Sequence, residues 1–210
     1  MYIIGLDLSG PSNTKDTACA VFKETAGHLT QQESCLGMTD LEILELVARL
    51  ASSSAVAIGI DAPLSYNPGG GDRPPDRQLR KLIVGAGGHP GSIMPPTMNR
   101  MVYLTIRGIS LSRMLDGRAQ IVEVHPGASM ILRGAPLEAV RLFKIDTAAR
   151  QTLLTWLETR GLRGIIPAVN PSDHHIAACA AALATWGWIK NENPWLFPAE
   201  LPFHPYDFAC

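Results

Sequence analysis

The chain has 210 residues, 46% of them hydrophobic, which is enough to build one domain with a sizeable core. Its net charge of −1 gives no overall basic signal for nucleic acid, and the low charged fraction of 18% allows an apolar surface and a possible homo-oligomer. The four cysteines form no C-x-x-C pair, which excludes zinc-ribbon and thioredoxin-type sites.

No apolar run reaches about 18 residues, so we expect no membrane-spanning segment and no membrane partner. The N-terminus enters an apolar run directly and has no basic region, unlike a signal peptide. A cytoplasmic location is therefore expected.

The apolar run at residues 2–6 predicts a strand buried on both faces, and Asp7 stands at its end. A buried lone carboxylate is costly unless something pairs with it. The same pattern recurs where residues 56–60 lead to Asp61, and in the third strand, which carries Glu123. We expect the three carboxylates to converge, with a divalent metal ion offsetting their repulsion.

Between the first two carboxylate strands, residues 9–13 predict a turn-rich loop, and residues 17–22 and 28–36 predict a hairpin of two strands. Asp40 is expected to cap a helix over residues 41–52. This crossover helix implies that the fourth strand runs parallel to the first.

Residues 62–118 form a loop-rich insertion, with short helices expected at about 76–84 and 97–115. A long excursion of this kind in a compact domain is usually functional. It contains eight Arg or Lys against three Asp, a net charge of +5. A basic patch opposite an acidic pocket suits a phosphate-bearing substrate, and the alternative is a solvated helical face.

After the third carboxylate strand at residues 119–124, an amphipathic helix is predicted over 147–160. The last helix is expected to begin at the N-cap Asn170 and to run to about residue 189, with Asp173 in its first turn. Residues 191–210 are expected to form a surface tail. With no repeat or linker in view, residues 1–210 are interpreted as a single domain.

Five motifs in this order resemble a known family: Gly5-Leu6-Asp7, Ile60-Asp61-Ala62-Pro63-Leu64, Asp76-Arg77 with Arg80, Glu123-Val124-His125-Pro126, and Asp173-His174. Over about residues 1–190 the chain is similar to the domain-of-unknown-function family numbered 429. The resemblance implies a nuclease-like protein with an α/β, ribonuclease H-like fold. The expected sheet is mixed and five-stranded, of order 3-2-1-4-5, flanked by helices, with the insertion after strand 4.

The chemistry implied is metal-dependent hydrolysis of a phosphodiester, using Mg²⁺ or Mn²⁺ ions about 3.5–4 Å apart to activate water and stabilise the leaving oxygen. The expected metal ligands are carboxylates: Asp7, Asp61, Glu123 and Asp173. The expected proton carriers are histidines: His125 and His174. The expected substrate-binding residues, for nucleic acid or another phosphate-bearing partner, are Ser9, Arg77, Arg80 and Arg100.

Ribonuclease H-like enzymes usually supply their last acid from the final helix, and the matching position here holds Ala177. Asp173 lies one helical turn earlier on the same face, and His174 or His175 is an alternative.

Two other functions stay open. One is a nucleotide-binding phosphotransferase or ATPase of the actin-like fold, whose loop at Ser9-Gly10 would cradle phosphate. The other is a catalytically inactive binding module.

Each candidate also has a structural alternative. Asp7 could bond to backbone amides of the following turn, and Asp61 could orient the loop after its strand. Glu123 could pair with an arginine, and Asp173 could stabilise a helix start through the helix dipole. Arg77 and Arg80 could pair with Asp72 and Asp76.

Overall fold

The structure is a computed structural model that describes residues 1–165 and 171–210. The strands in the described part of the chain are β1 (Tyr2–Asp7), β2 (Ala18–Thr25), β3 (His28–Leu36), β4 (Val56–Asp61), β5 (Gln120–Val124), β6 (Leu162–Arg163), β7 (Leu196–Phe197) and β8 (Phe208–Ala209). The α-helices described are α1 (Asp40–Ala51), α2 (Pro74–Gly85), α3 (Met101–Leu115), α4 (Pro126–Leu132), α5 (Leu137–Leu142), α6 (Thr147–Thr159) and α7 (Asp173–Lys190).

These strands form one mixed sheet of eight strands, in the order β6-β3-β2-β1-β4-β5-β8-β7. The expected five-stranded, ribonuclease H-like sheet is therefore wrong. Three two-residue strands were missed: β6 extends the edge beside β3, while β8 and β7 extend the edge beside β5. Two residues are too few to show an alternating pattern, so the sequence did not indicate these strands.

Helices cover both faces of the sheet, because its central strands are apolar on both sides. Ile4 and Ile58 pack with Leu46 of α1 and Leu111 of α3 on one face. The other face packs against α4 to α7, with Ile3 in the same apolar cluster as the buried residues of those helices. Side chains that alternate along β1 and β4 therefore enter different cores.

Two glycines allow α7 to lie directly on the sheet. A Cβ atom on Gly5 of β1 would be 1.9 Å from the carbonyl oxygen of Ala178, and one on Gly59 of β4 would be 1.9 Å from Oγ1 of Thr185. Both glycines lie two residues before the end of their strand. This close packing brings the first turn of α7 to the carboxyl ends of β1 and β4.

The start of α7 differs from the expected one. Ser172 is the N-cap residue, and its Oγ accepts a hydrogen bond from the backbone N–H of His175 at 3.1 Å. Asp173 is the first helical residue and Pro171 precedes the helix. The predicted N-cap, Asn170, lies outside the described residues.

The C-terminal segment, residues 191–210, lies only partly on the surface, where Leu201 and Phe203 are exposed as expected. It supplies β7 and β8, and Phe208, Ala209 and Cys210 are buried. The predicted helices of the insertion occur as α2 and α3. In the described part of the chain, none of the helices has the length and apolar character needed to cross a bilayer.

Candidate functional site

Asp7 and Asp61 lie side by side at the carboxyl ends of two adjacent parallel strands. β1 and β4 are paired in register, with Asp7 opposite Asp61. Burial raises the pKa of Asp61 well above its ordinary value, and the neighbouring charge of Asp7 raises it further. Burial also raises the pKa of Asp7. Two carboxyl groups in this arrangement favour a shared proton or a bound cation.

His174, in the first turn of α7, binds one member of this pair. Its Nδ1 lies 2.7 Å from Oδ2 of Asp7, and its Nε2 lies 4.0 Å from Oδ2 of Asp16. The hydrogen bond to Asp7 raises the pKa of His174, which favours the imidazolium form. The side chain stays 33% exposed, so a bound molecule can reach it.

A cavity of about 710 Å³ opens beside these groups. Asp7 and Asp61 line it from the strand ends, and Asp173, His174 and Ala177 line it from α7. Its other walls come from residues 87–94 after α2, from α4, and from the segment around α5. We call this cavity the carboxylate cleft. Within the described residues, the side chain of Asp173 makes no hydrogen bond or ion pair, and its charge acts on Asp7 and His174.

Glu123, the third expected carboxylate, does not line the cleft. Glu123 is opposite Ile60 in the β4–β5 register, one residue before the level of Asp61. Because side chains alternate along a strand, its side chain points to the other face of the sheet. There its two oxygens accept hydrogen bonds from Arg73 at 2.6 and 2.8 Å, and Oε2 also accepts from the Leu64 N–H at 2.9 Å. Glu123 thus pairs with an arginine, which is the structural alternative to metal binding.

His125 lines the cleft, but both ring nitrogens are already used. Nδ1 accepts a hydrogen bond from the Ala128 N–H at 3.0 Å, so His125 is the N-cap residue of α4. Nε2 therefore carries the proton and donates to the Ser92 carbonyl at 3.0 Å. Its geometry is that of a structural cap rather than a free proton shuttle.

The expected phosphate-binding residues lie outside the cleft lining. Arg80 binds Asp72 through two hydrogen bonds of 2.6 and 2.7 Å, and Arg77 donates to the Asp72 carbonyl at 2.9 Å. Arg100 is the exposed N-cap residue of α3, and its side chain makes no hydrogen bond or ion pair among the described residues. Arg77 and Arg80 are therefore used to hold the insertion itself, whereas Arg100 is not.

Ser9 lies in a loop that is held by hydrogen bonds with Thr17 and Arg107. Its backbone N–H and its hydroxyl contact Oγ1 of Thr17 at 3.3 and 2.7 Å. Arg107 donates to the Ser9 carbonyl at 2.7 Å and pairs with Asp40. Because the Ser9 amide is already bonded to Thr17, it is not a free backbone donor of the kind that a phosphate cradle needs.

Lys144 is a cleft residue that the sequence did not indicate. It is exposed, lines the cleft, and its positive charge acts on Asp7 and Asp61 against the effect of burial. Arg141, one turn earlier, also lines the cleft, but donates to the Gly87 carbonyl at 2.7 Å. Neither residue belongs to a sequence motif. Their positions depend on the tertiary packing of the segment that follows β5.

The number of protein side chains that could act as ligands limits the kind of metal centre that this site could hold. In residues 1–165 and 171–210, no group of three or more His, Cys, Asp or Glu side chains is placed to hold a metal ion. The four expected carboxylates therefore do not form one cluster. Mg²⁺ is commonly held by one or two carboxylates, with water and substrate oxygens completing its shell. The pair of Asp7 and Asp61 fits one such ion.

The fold and the cleft define an α/β protein with paired carboxylates at the ends of parallel strands. The family model described as "Protein of unknown function (DUF429)" matches residues 5–201, so the chain belongs to this family. Neither the curated proteins nor the solved structures include a match to the chain.

Proposed function

We propose that the protein is a metal-dependent hydrolase of a phosphate ester, with Asp7 and Asp61 holding one Mg²⁺ or Mn²⁺ ion. The observation that carries the proposal is the in-register pair of carboxylates facing a cleft. A bound cation offsets the burial that raises the pKa of both groups and the charge of Asp7 that raises the pKa of Asp61 further. In such a site the ion activates water and offsets charge on the phosphoryl oxygens.

The remaining polar groups of the cleft suit the same reaction. His174 favours its protonated form and is partly exposed, which are the properties of a general acid for a leaving oxygen. Lys144 offers a positive charge for a phosphate oxygen. The four free cysteines fit a reducing compartment, and the proposal retains the cytoplasmic location expected from the sequence.

The proposal is tested by heat denaturation during a Mn²⁺ titration of the wild type, Asp7→Asn and Asp61→Asn. A ligand that binds only the folded state adds roughly 2.7 kcal/mol at one hundred times its dissociation constant. We expect this stabilisation in the wild type and its loss in both variants. Mn²⁺-dependent hydrolysis of p-nitrophenyl phosphate esters should fall at least about 100-fold in both, since the ion carries the main charge stabilisation.

Asp116→Asn is the matched control. Asp116 is an exposed loop carboxylate whose Oδ1 accepts a hydrogen bond from the Gly117 N–H at 3.1 Å, and asparagine keeps that acceptor. This variant should respond to Mn²⁺ as the wild type does. An unchanged melting temperature of the wild type in Mn²⁺, or an equal rise in Asp61→Asn, would contradict the proposal.

A further inference from the structure

Part of the lining of the carboxylate cleft is apolar, and we call this part the apolar wall. Met94, Ile131, Val140 and Phe143 form it, supplied by the loop after α2, by α4 and by the segment around α5. Val140 and Phe143 are buried in the main core, whereas Met94 is 38% exposed. The cleft thus offers apolar side chains as well as charged ones.

The size of the cleft is that of a small-molecule site. Its volume of about 710 Å³ falls within the usual range of roughly 300–1,000 Å³ for ligand pockets. A polynucleotide instead needs a long basic track for its backbone. Among the described residues, no Lys or Arg of the basic insertion lines the cleft, and Arg77, Arg80 and Arg107 are bonded to Asp72, Asp40 and nearby carbonyl groups.

In the described part of the chain, Lys144 and Arg141 are the Lys and Arg side chains that line the cleft, and His174 beside them is bonded to Asp7. Arg141 is bonded to the Gly87 carbonyl and to Glu138, which leaves Lys144 as the cleft cation whose side chain makes no hydrogen bond or ion pair among the described residues. One available cation beside an apolar wall matches a molecule with a single phosphate and an apolar body. It does not match a chain of phosphates.

We infer that the substrate is a small phosphate ester whose organic part is apolar, and that it is not a polynucleotide. The phosphate lies between the aspartate pair and Lys144, and the apolar group packs on Met94 and Ile131. This inference rests on the proposed function, because it assigns the phosphate to the same carboxylate pair.

The experiment compares the binding of phenylphosphonate, methylphosphonate and an oligothymidylate to the full chain with Mn²⁺ present, by calorimetry. The phosphonates have no ester bond to hydrolyse, so binding is measured apart from turnover. Phenylphosphonate should bind at least about tenfold more tightly than methylphosphonate, since filling an apolar pocket commonly gives that factor. The oligothymidylate should bind no more tightly than phenylphosphonate.

Met94→Ser tests the apolar wall, and Met98→Ser is its control. Met98 is a similarly exposed methionine, at 40%, in the same insertion but outside the cleft lining. Met94→Ser should reduce the preference for the phenyl group by roughly threefold or more, while Met98→Ser should keep it. Equal binding of the two phosphonates, an unchanged preference in Met94→Ser, or tighter binding of the oligothymidylate would overturn the inference.

The two proposals fail differently. Mn²⁺ stabilisation that depends on Asp61, together with no phenyl preference, retains the metal-dependent hydrolase and overturns the small apolar substrate. Phenyl preference that depends on Met94, without Mn²⁺ stabilisation, overturns the hydrolase and supports a cleft that binds an apolar phosphate compound.

Discussion

Arg73 is a fully buried cation held between two buried carboxylates. It donates to Glu123 at 2.6 and 2.8 Å and to Asp76 at 2.8 and 3.0 Å. Burial disfavours its charge, but Glu123 and Asp76 more than offset this and raise the pKa of Arg73. Glu123 therefore serves to fix the start of α2 against β5, and its charge is satisfied without a metal ion.

Replacing Arg73 should be severely destabilising. Arg73→Ala leaves both buried carboxylates without their partner, and breaking a buried ion pair in this way costs about 3–5 kcal/mol. The free energy of unfolding in urea measures the loss. Arg77→Ala, at an exposed position of the helix that follows Arg73, should change it by less than about 0.5 kcal/mol. A loss below about 1 kcal/mol in Arg73→Ala would contradict this structural role.

His125 makes the free energy of unfolding depend on pH, and the direction of this dependence can be predicted. Burial lowers the pKa of His125 from its ordinary value of 6.5 because it disfavours the imidazolium. Unfolding therefore takes up a proton between that lowered pKa and about pH 6.5. The stability contributed by neutral His125 is complete above this window and is lost as the pH falls through it.

His125→Asn should flatten this fall, because asparagine keeps an N-cap acceptor but does not titrate. The slope of the free energy of unfolding against pH, measured by urea titration below pH 6.5, gives the number of protons taken up on unfolding. This number should decrease by about one in the variant. His89→Asn replaces an exposed capping histidine and should keep the wild-type profile. Identical slopes for His125→Asn and the wild type would show that His125 is not held neutral.

At the scale of elements, the contact between α7 and β1 positions the site. The clash expected for a Cβ atom on Gly5 involves helix backbone, 1.9 Å from the Ala178 oxygen and 2.4 Å from the Ala182 nitrogen, so α7 must move away. Such overpacking typically costs about 1–3 kcal/mol, and occasionally more. Any shift of α7 also separates His174 from Asp7.

Gly5→Ala should therefore lower the free energy of unfolding by at least about 2 kcal/mol and weaken Mn²⁺-dependent activity together with it. Gly10→Ala is the control, since a Cβ atom there meets nothing within 4 Å. Gly10→Ala should change the free energy of unfolding by less than about 0.5 kcal/mol. If Gly5→Ala were as stable as the wild type, the close packing of α7 on β1 would be refuted.

The sequence indicated the long elements because their periodic patterns are local. The hairpin, the crossover helix and the alanine-rich last helix each carry such a pattern. It also indicated Asp7, Asp61 and His174, because strand ends and a helix start are marked by the sequence itself. The sequence did not indicate which face Glu123 occupies, because that depends on the β4–β5 register, which places Glu123 opposite Ile60.

The rest of the cleft could not be predicted in the same way. Lys144 and the apolar wall come from short helices after β5, whose direction depends on tertiary packing. The use of Arg77 and Arg80 as folding residues likewise depends on a partner, Asp72, in a loop with no repeating pattern. Residue type alone does not distinguish a free arginine from a paired one.

At the scale of the whole molecule, the C-terminal segment joins the sheet to the helices. The Glu123 N–H donates to the Asp207 carbonyl at 2.9 Å, and the side chain of Asp207 accepts from Trp188 of α7 at 2.8 Å. Phe208 packs edge-on to Trp195 with ring centroids 5.1 Å apart, and Arg73 lies over its ring. These links indicate that the segment folds and unfolds with the rest of the domain.

Phe208→Ala should destabilise the entire domain by about 3–5 kcal/mol, as for other buried aromatic residues replaced by alanine. The urea transitions followed by tryptophan fluorescence and by far-ultraviolet circular dichroism should coincide in the wild type and move together in the variant. Phe203→Ala, at a position that is 61% exposed in the same segment, should leave both unchanged. A segment that merely rested on the surface would instead change its fluorescence at a lower urea concentration, before the helical signal is lost.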